Sequence, residues 1–362
     1  MGSRQTYKYS YINLYKITKM QTLQFKPKQI TRKMLSVLKD RSRDIIEQRY
    51  GLGSKDSNRK TLEAIGQQYG ITRERVRQIE NFSLNSIRKN NVFADNEAVF
   101  KEIVSEIERR GKVVHEEEFL NSLAKDELSR NHIHFLLVVS PSFTKIKEDN
   151  DFHHRWTVDV EESEKIHEAL RNLHQEIRPD DLISEEEMLS RFNNHINKTN
   201  LNDISTETLS SWIKLSKLID KNDLGEWGVV SSCNIRPRGV RDLAFLVLRR
   251  HGSPMHFTEV AKSISGTFGK VAHPQTTHNE LIKDERFVLV GRGLYGLSDW
   301  GYSAGTVKDV IKNILNTHGA LTKEDVIKRV LKERYVKENT ILVNLQDRRY
   351  FKKDPSDFYI AI

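Results

Sequence analysis

The stretch Thr72-Arg-Glu-Arg-Val-Arg-Gln-Ile-Glu-Asn81 carries the residue types that read the edges of DNA bases. A guanidinium forks onto guanine, a carboxamide onto adenine, and a carboxylate accepts from the amino group of cytosine. On a helix wheel of about 100° per residue, Arg73, Glu74, Arg77, Gln78 and Asn81 share one arc, with Val76, Ile79 and Ser83 opposite. A solvated charged face would look the same on a lone helix, so the residues before it decide. Leu62, Ala64, Ile65 and Tyr69 mark a short helix, and Gly70 suits the left-handed turn that follows. Ile71 plugs that turn, Thr72 caps the next helix, and Val76, Ile79 and Leu84 give it a core-facing stripe. Two helices at this spacing favour base reading over a plain charged surface.

Other elements must position this pair. Met34, Leu35, Val37, Leu38, Ile45, Ile46 and Tyr50 recur at helical spacing and stop at Gly51-Leu52-Gly53, which predicts one or two helices with a glycine end. Ser54 to Lys60 is a polar loop whose Lys and Arg suit phosphates. Beyond residue 90 the chain repeats weakly, each unit opening with helical pattern and closing with a short hairpin. The hairpins are Phe143–Ile146 with Arg155–Val158, Lys217–Asp220 with Glu226–Val230, Phe287–Val290 with Leu294–Leu297, and Tyr350–Lys353 with Phe358–Ile362. The third unit is the clearest: helix Val240–Arg250, turn Gly252-Ser-Pro254, helices Phe257–Ile264 and His278–Asp284, then a hairpin turning at Gly291-Arg-Gly293. The expected fold class is mainly α with small β wings, a helix-turn-helix domain followed by tandem winged-helix-like modules. Expected boundaries are a disordered basic arm at 1–27, the helix-turn-helix domain at 28–90, and modules at 91–160, 161–235, 236–302 and 303–362.

Charge is segregated. The net charge is +9, yet residues 28–90 hold fifteen Lys/Arg against seven Asp/Glu, whereas residues 91–235 are net −12. A polyanion is therefore gripped by the first quarter, helped by the last third, where residues 303–362 carry twelve basic against eight acidic side chains. The acidic middle suits protein contact. The first 27 residues carry five Lys/Arg and no acid, but Tyr7, Tyr9, Tyr11, Asn13 and Tyr15 break up any signal-peptide core. Met20 is an equally good start. One cysteine, Cys233, excludes a disulfide framework, and the apolar runs Phe135–Val139 and Ala244–Leu248 are too short to span a bilayer. A cytoplasmic, nucleoid-associated protein is expected.

Leu35 to Lys89, above all Thr61 to Glu80, resembles region 4 of the sigma-70 family of bacterial RNA polymerase initiation factors. The resemblance implies that Arg73, Glu74, Arg77 and Gln78, joined by Asn81 from the wheel, read a minus-35-like promoter element in double-stranded DNA. It places Lys60, Thr61, Leu62 and Arg75 at phosphates. It implies that Arg41, Arg43 and Glu47, on the helices near 35–50, meet RNA polymerase at the flap of its β subunit. Departures accompany the match: 34 residues leave no room for the family's promoter-melting region, and Asn81-Phe-Ser-Leu-Asn-Ser-Ile replaces the usual basic stretch. A second segment, Val240 to Trp300, is similar to the HARE-HTH winged-helix family, which includes a domain of the polymerase delta subunit. Arg249, Arg250 and the wing residue Arg292 are its candidate DNA contacts.

Other signals have plainer readings. Gly291-Arg-Gly-Leu-Tyr-Gly296 fits a dinucleotide fingerprint in letters, but apolar strands flank it on both sides, so it reads as a wing. His132, His134, His153 and His154 lack a carboxylate or Cys at supporting spacing, so no metal is expected. Glu116–Glu118 and Glu185–Glu187 sit at helix starts, and Trp156, Trp212, Trp227 and Trp300 read as core anchors. No nucleophile or phosphate loop is found, so neither an enzyme nor a cofactor is expected. The rivals to promoter reading are a delta-like polymerase adaptor and a DNA-binding accessory of a restriction or defence system.

Overall fold

The computed structural model describes residues 23–53, 57–302 and 305–362. Residues 1–22 of the expected basic arm, Met20 included, and Lys55 of the polar loop lie outside these. Residues 23–27 are held by their own apolar side chains: Leu23 and Phe25 pack on the core, and Pro27 opens the first helix. The chain forms two compact units, one of residues up to Glu176 with 186–219, the other of 177–185 with 220–362.

The first unit starts with α1 (Pro27–Leu35) and α2 (Asp40–Tyr50), the latter ended by Gly51 in the left-handed region at φ 64°. A Cβ at Gly51 would also collide with the Ser57 carbonyl and the Asn131 amide, so glycine is required twice over. Next come α3 (Leu62–Tyr69), α4 (Arg73–Arg88) and the single turn α5 (Asn91–Ala94). A winged-helix order follows: α6 (Glu97–Arg109), β1 (Val113–His115), α7 (Glu116–Leu123), α8 (Glu127–Val139), β2 (Thr144–Ile146) and β3 (Arg155–Thr157). The three strands are antiparallel in the order β1-β3-β2, with Trp156 opposite both Val114 and Lys145. His115 caps α7 through its ring nitrogen, and Glu116–Glu118 fill the first turn, as their sequence position suggests.

One apolar core runs across residue 90 without a break. Met34, Leu35, Leu38, Ile46, Tyr50, Leu84 and Ile87 join Phe100, Ile103, Phe135, Leu136 and Trp156 in it. The bridge is α8, in which Asn131 to Leu137 are all buried because it is enclosed by α1, α2 and its own module. His132 and His134 belong to this buried run and are not surface side chains.

The same order returns along the chain as α9 (Val160–Glu176), α10 (Glu185–Asn197), α11 (Thr206–Ile213), β4 (Ile219–Lys221) and β5 (Trp227–Val229). Here a single bridge, Ile183 to Trp227, stands in for the first strand. In the second unit the HARE-like segment holds α12 (Val240–His251), β6 (Met255–His256), α13 (Phe257–Phe268), α14 (Pro274–Lys283), β7 (Phe287–Gly291) and β8 (Leu294–Leu297), in sheet order β6-β8-β7. Gly291 and Gly293 form the β7–β8 turn, so the glycine-rich string is a wing hairpin. The last segment has α15 (Val307–His318), α16 (Lys323–Glu333), α17 (Glu338–Leu345), β9 (Phe351–Lys353) and β10 (Tyr359–Ala361), with Leu321 bridged to Tyr359. The protein is thus mainly α with small β wings. Trp156, Trp212 and Trp227 are buried, and Trp300 is partly buried against the α12–α14 core. No helix among the described residues is long and apolar enough to cross a membrane.

Candidate nucleic-acid interface

The helix-turn-helix is built from side chains that cap, plug and pack. Thr61 caps α3 by accepting from the Ala64 N–H at 3.1 Å, and Thr72 caps α4 by accepting from the Arg75 N–H at 3.2 Å. Gly70 makes the turn at φ 63°. Gly66, which the sequence reading passed over, is needed because a Cβ there would stand 2.7 Å from the Ile71 carbonyl. Ile45, Ile65 and Val76 form the small core between α2, α3 and α4, with Leu62, Tyr69, Ile71 and Ile79 around it.

That packing leaves Arg73, Glu74, Arg77, Gln78 and Asn81 exposed together, while Val76 and Ser83 are buried on the opposite side. Arg77 donates through Nε and Nη2 to both carboxylate oxygens of Glu74, at 2.8 and 2.7 Å, and Arg75 donates to Gln78 at 3.0 Å. The Arg77 fork holds the Glu74 carboxyl below its ordinary range and raises the guanidinium in turn. Glu80 points the other way. It accepts from the Tyr50 hydroxyl at 2.7 Å and from Arg49 Nε at 3.3 Å, pinning α4 to α2. Burial, with Glu80 beside it, pushes the Tyr50 phenol upward. At the far end of α4, Arg88 donates to the Val139 and Val138 carbonyls at 2.7 and 3.0 Å, so α8 closes that end. The open reading surface is the first half of α4.

The expected phosphate residues have mixed surroundings. Lys60 Nζ donates to Gln48 and Gln68 at 3.0 and 3.1 Å, and Arg75 is exposed. The Leu62 side chain turns into the small core, which leaves its backbone N–H at the start of α3 as the group that could meet a phosphate. Arg59 is tied to Asn131 at 2.7 Å, and the Asn131 amide in turn donates to Gly51 and Ser57 carbonyls. No sequence pattern links residues 59 and 131; only the fold of α8 onto α2 does. Of the expected polymerase contacts, Arg41 is exposed with its guanidinium 5.6 Å from the Tyr69 ring, and Glu47 is half-buried. Arg43 is spent within the α1–α2 corner, donating to the Leu35 and Leu38 carbonyls. In the second unit Arg292 and Arg250 are exposed, and Arg249 is paired with Glu226 at 2.6 Å. Among the described residues no group of three His, Cys, Asp or Glu could hold a metal ion.

Comparison with known proteins falls on these same two segments. The family model for Sigma-70, region 4 matches residues 34–89, and the HARE-HTH model, for the HTH domain of ASXL and restriction endonuclease proteins, matches residues 239–300. The chain is 50% identical over 58 residues to RNA polymerase sigma factor SigA1 of Synechococcus elongatus, covering 16% of this chain and 14% of that protein. It is 49% identical over 59 residues to SigA of Nostoc sp., covering 16% and 15%, and 41% identical over 56 residues to principal sigma factor HrdD of Streptomyces griseus, covering 16% of each. The chain thus spans about one seventh of the length of these curated relatives. The segment containing α3 and α4 is sigma region 4-like, and the segment α12 to β8 is HARE-HTH-like.

Proposed function

We propose that this chain is a sequence-specific DNA-binding regulator of transcription initiation, sigma factor-like, whose α4 enters the major groove and reads a minus-35-like promoter element. What carries the reading is the exposed arc of Arg73, Glu74, Arg77, Gln78 and Asn81 on a capped second helix, inside the segment similar to region 4. Lys60, Thr61, the Leu62 N–H and Arg75 hold backbone phosphates on either side. The relatives' names tie them to RNA polymerase, and this chain meets the polymerase β flap through polar residues of α2, Arg41 and Glu47 among them. An apolar docking on α1 and α2 is disfavoured, since α8 fills their apolar side. This reading places the protein in the cytoplasm, on the nucleoid.

The test is a selection of random duplexes by the full protein beside the same selection with Arg77→Ala. A TTGACA-like motif that is lost in the variant supports promoter reading. No enriched motif, or one the substitution leaves unchanged, sinks it. The acidic stretch 91–235 favours a second reading, a polymerase adaptor without promoter reading. Salt-resistant capture of core polymerase in the absence of DNA, by protein that selects no motif, supports the adaptor.

A further inference from the structure

The C-terminal segment, which lies beyond both matched stretches, carries a basic cleft. It opens between the end of α17 and the β9–β10 hairpin, with a volume of about 630 Å³. Gln346, Arg348, Lys352, Lys353 and Tyr359 line it, over the buried side chains of Leu345 and Phe351, and no Asp or Glu side chain is in the lining. The neighbouring acids are committed elsewhere. Asp347 takes the fork of Arg349 at 3.0 and 2.9 Å, and Asp357 pairs with Lys353 at 2.5 Å. Among the described residues Arg348 and Lys352 have no ion pair, and both are exposed.

We propose that this cleft holds the phosphodiester backbone of duplex DNA. Exposed cations gathered without carboxylates repel one another, and a polyanion relieves that repulsion while releasing its counterions. The Gln346 amide and Tyr359 hydroxyl add the neutral donors that phosphate oxygens take. A single strand would need open aromatic faces for its bases. The aromatics that line the cleft are a buried Phe351 and a half-buried Tyr359, and the adjacent Tyr350 ring is covered by Lys308 Nζ at 3.8 Å. The cleft adds grip and no base choice, which stays with α4. The inference rests on the proposed function only in taking duplex DNA as the ligand.

The test compares full-length protein with Arg348→Gln/Lys352→Gln on a duplex carrying the selected motif and on a scrambled duplex, across salt concentrations. The expected result is binding weakened about tenfold on both duplexes, a salt slope shallower by about 2, and unchanged base preference. Unchanged affinity and slope overturn the cleft. So does an equal change from Lys328→Gln/Lys332→Gln, exposed cations on α16 outside the lining. Should the double variant melt early, Lys352→Gln alone decides, with a slope change of about 1 expected and none overturning. If Arg77→Ala leaves the motif unchanged, the promoter reading fails while the salt slopes still decide the cleft.

Discussion

Glu74 and Arg77 satisfy each other one turn apart on α4, with both groups in water. An exposed pair of this kind adds little stability, so its value lies in presenting a planar fork whose direction is already set. Arg77→Lys keeps the charge and removes the fork. We expect it to lower discrimination at one base pair by about 1–3 kcal/mol and to leave the salt slope unchanged. Competition binding on singly substituted duplexes checks this, and equal loss on every sequence would mean that Arg77 contacts phosphate. Behind the reading face, the Tyr50 hydroxyl donates to Glu80, which is nearly enclosed. Tyr50→Phe leaves that carboxylate one donor short and should destabilise the first unit by about 1.5–3 kcal/mol in urea unfolding. A change within error would show that water replaces the hydroxyl.

At the scale of elements, α8 decides how the reader is held. A free winged helix could offer its third helix to DNA, but here residues 131–137 are enclosed. The ring of Phe135 stands edge-on to Tyr50 at 5.3 Å between centroids. Phe135→Ala should cost about 3–5 kcal/mol and weaken DNA binding, although residue 135 lies far from α4's reading arc in sequence. Thermal melting and binding on the same preparation would show it; full DNA affinity in a destabilised variant would separate the two segments. The helices α2 to α4 were legible in sequence because Gly51, Gly70, Thr61 and Thr72 mark their ends with local chemistry. The closing hairpins were legible from strands such as Arg155-Trp-Thr157. The opening strands were missed because Val113–His115 and Met255–His256 are too short to show alternation, and Ile183 and Leu321 are single bridges. Burial of Asn131, His132 and His134 was illegible as well: polar letters on a helix read as surface until a second helix covers them.

At the scale of the whole molecule, segments are joined backbone to backbone inside each unit. The β2–β3 loop pairs with residues 215–217, His153 N–H donating to Leu215 at 3.0 Å, and Tyr335 N–H donates to Val290 at the edge of β7 at 2.8 Å. The first unit also encloses three imidazoles. Burial pushes His132 down to about 4 and His167 to about 3, the latter with Arg155 beside it, and holds His134 well below its ordinary range. Above about pH 6.5 folded and unfolded chains are both neutral at these sites. Below it the unfolded chain takes up protons that the folded chain refuses, so stability falls with pH until the folded values are reached. Each histidine contributes up to about 1.4 kcal/mol per pH unit, which predicts a steep loss of stability between about pH 6 and 4. Urea midpoints from pH 7 to 4.5 measure it, and a flat profile would mean that these rings reach water. The core that crosses residue 90 has a further consequence at the ribosome. Met34, Leu35 and Leu84 emerge well before Trp156, which completes their packing. At roughly 5–20 residues per second, the DNA reader waits several seconds with its apolar back uncovered, and a nascent chain arrested between residues 90 and 156 is a natural client for a chaperone.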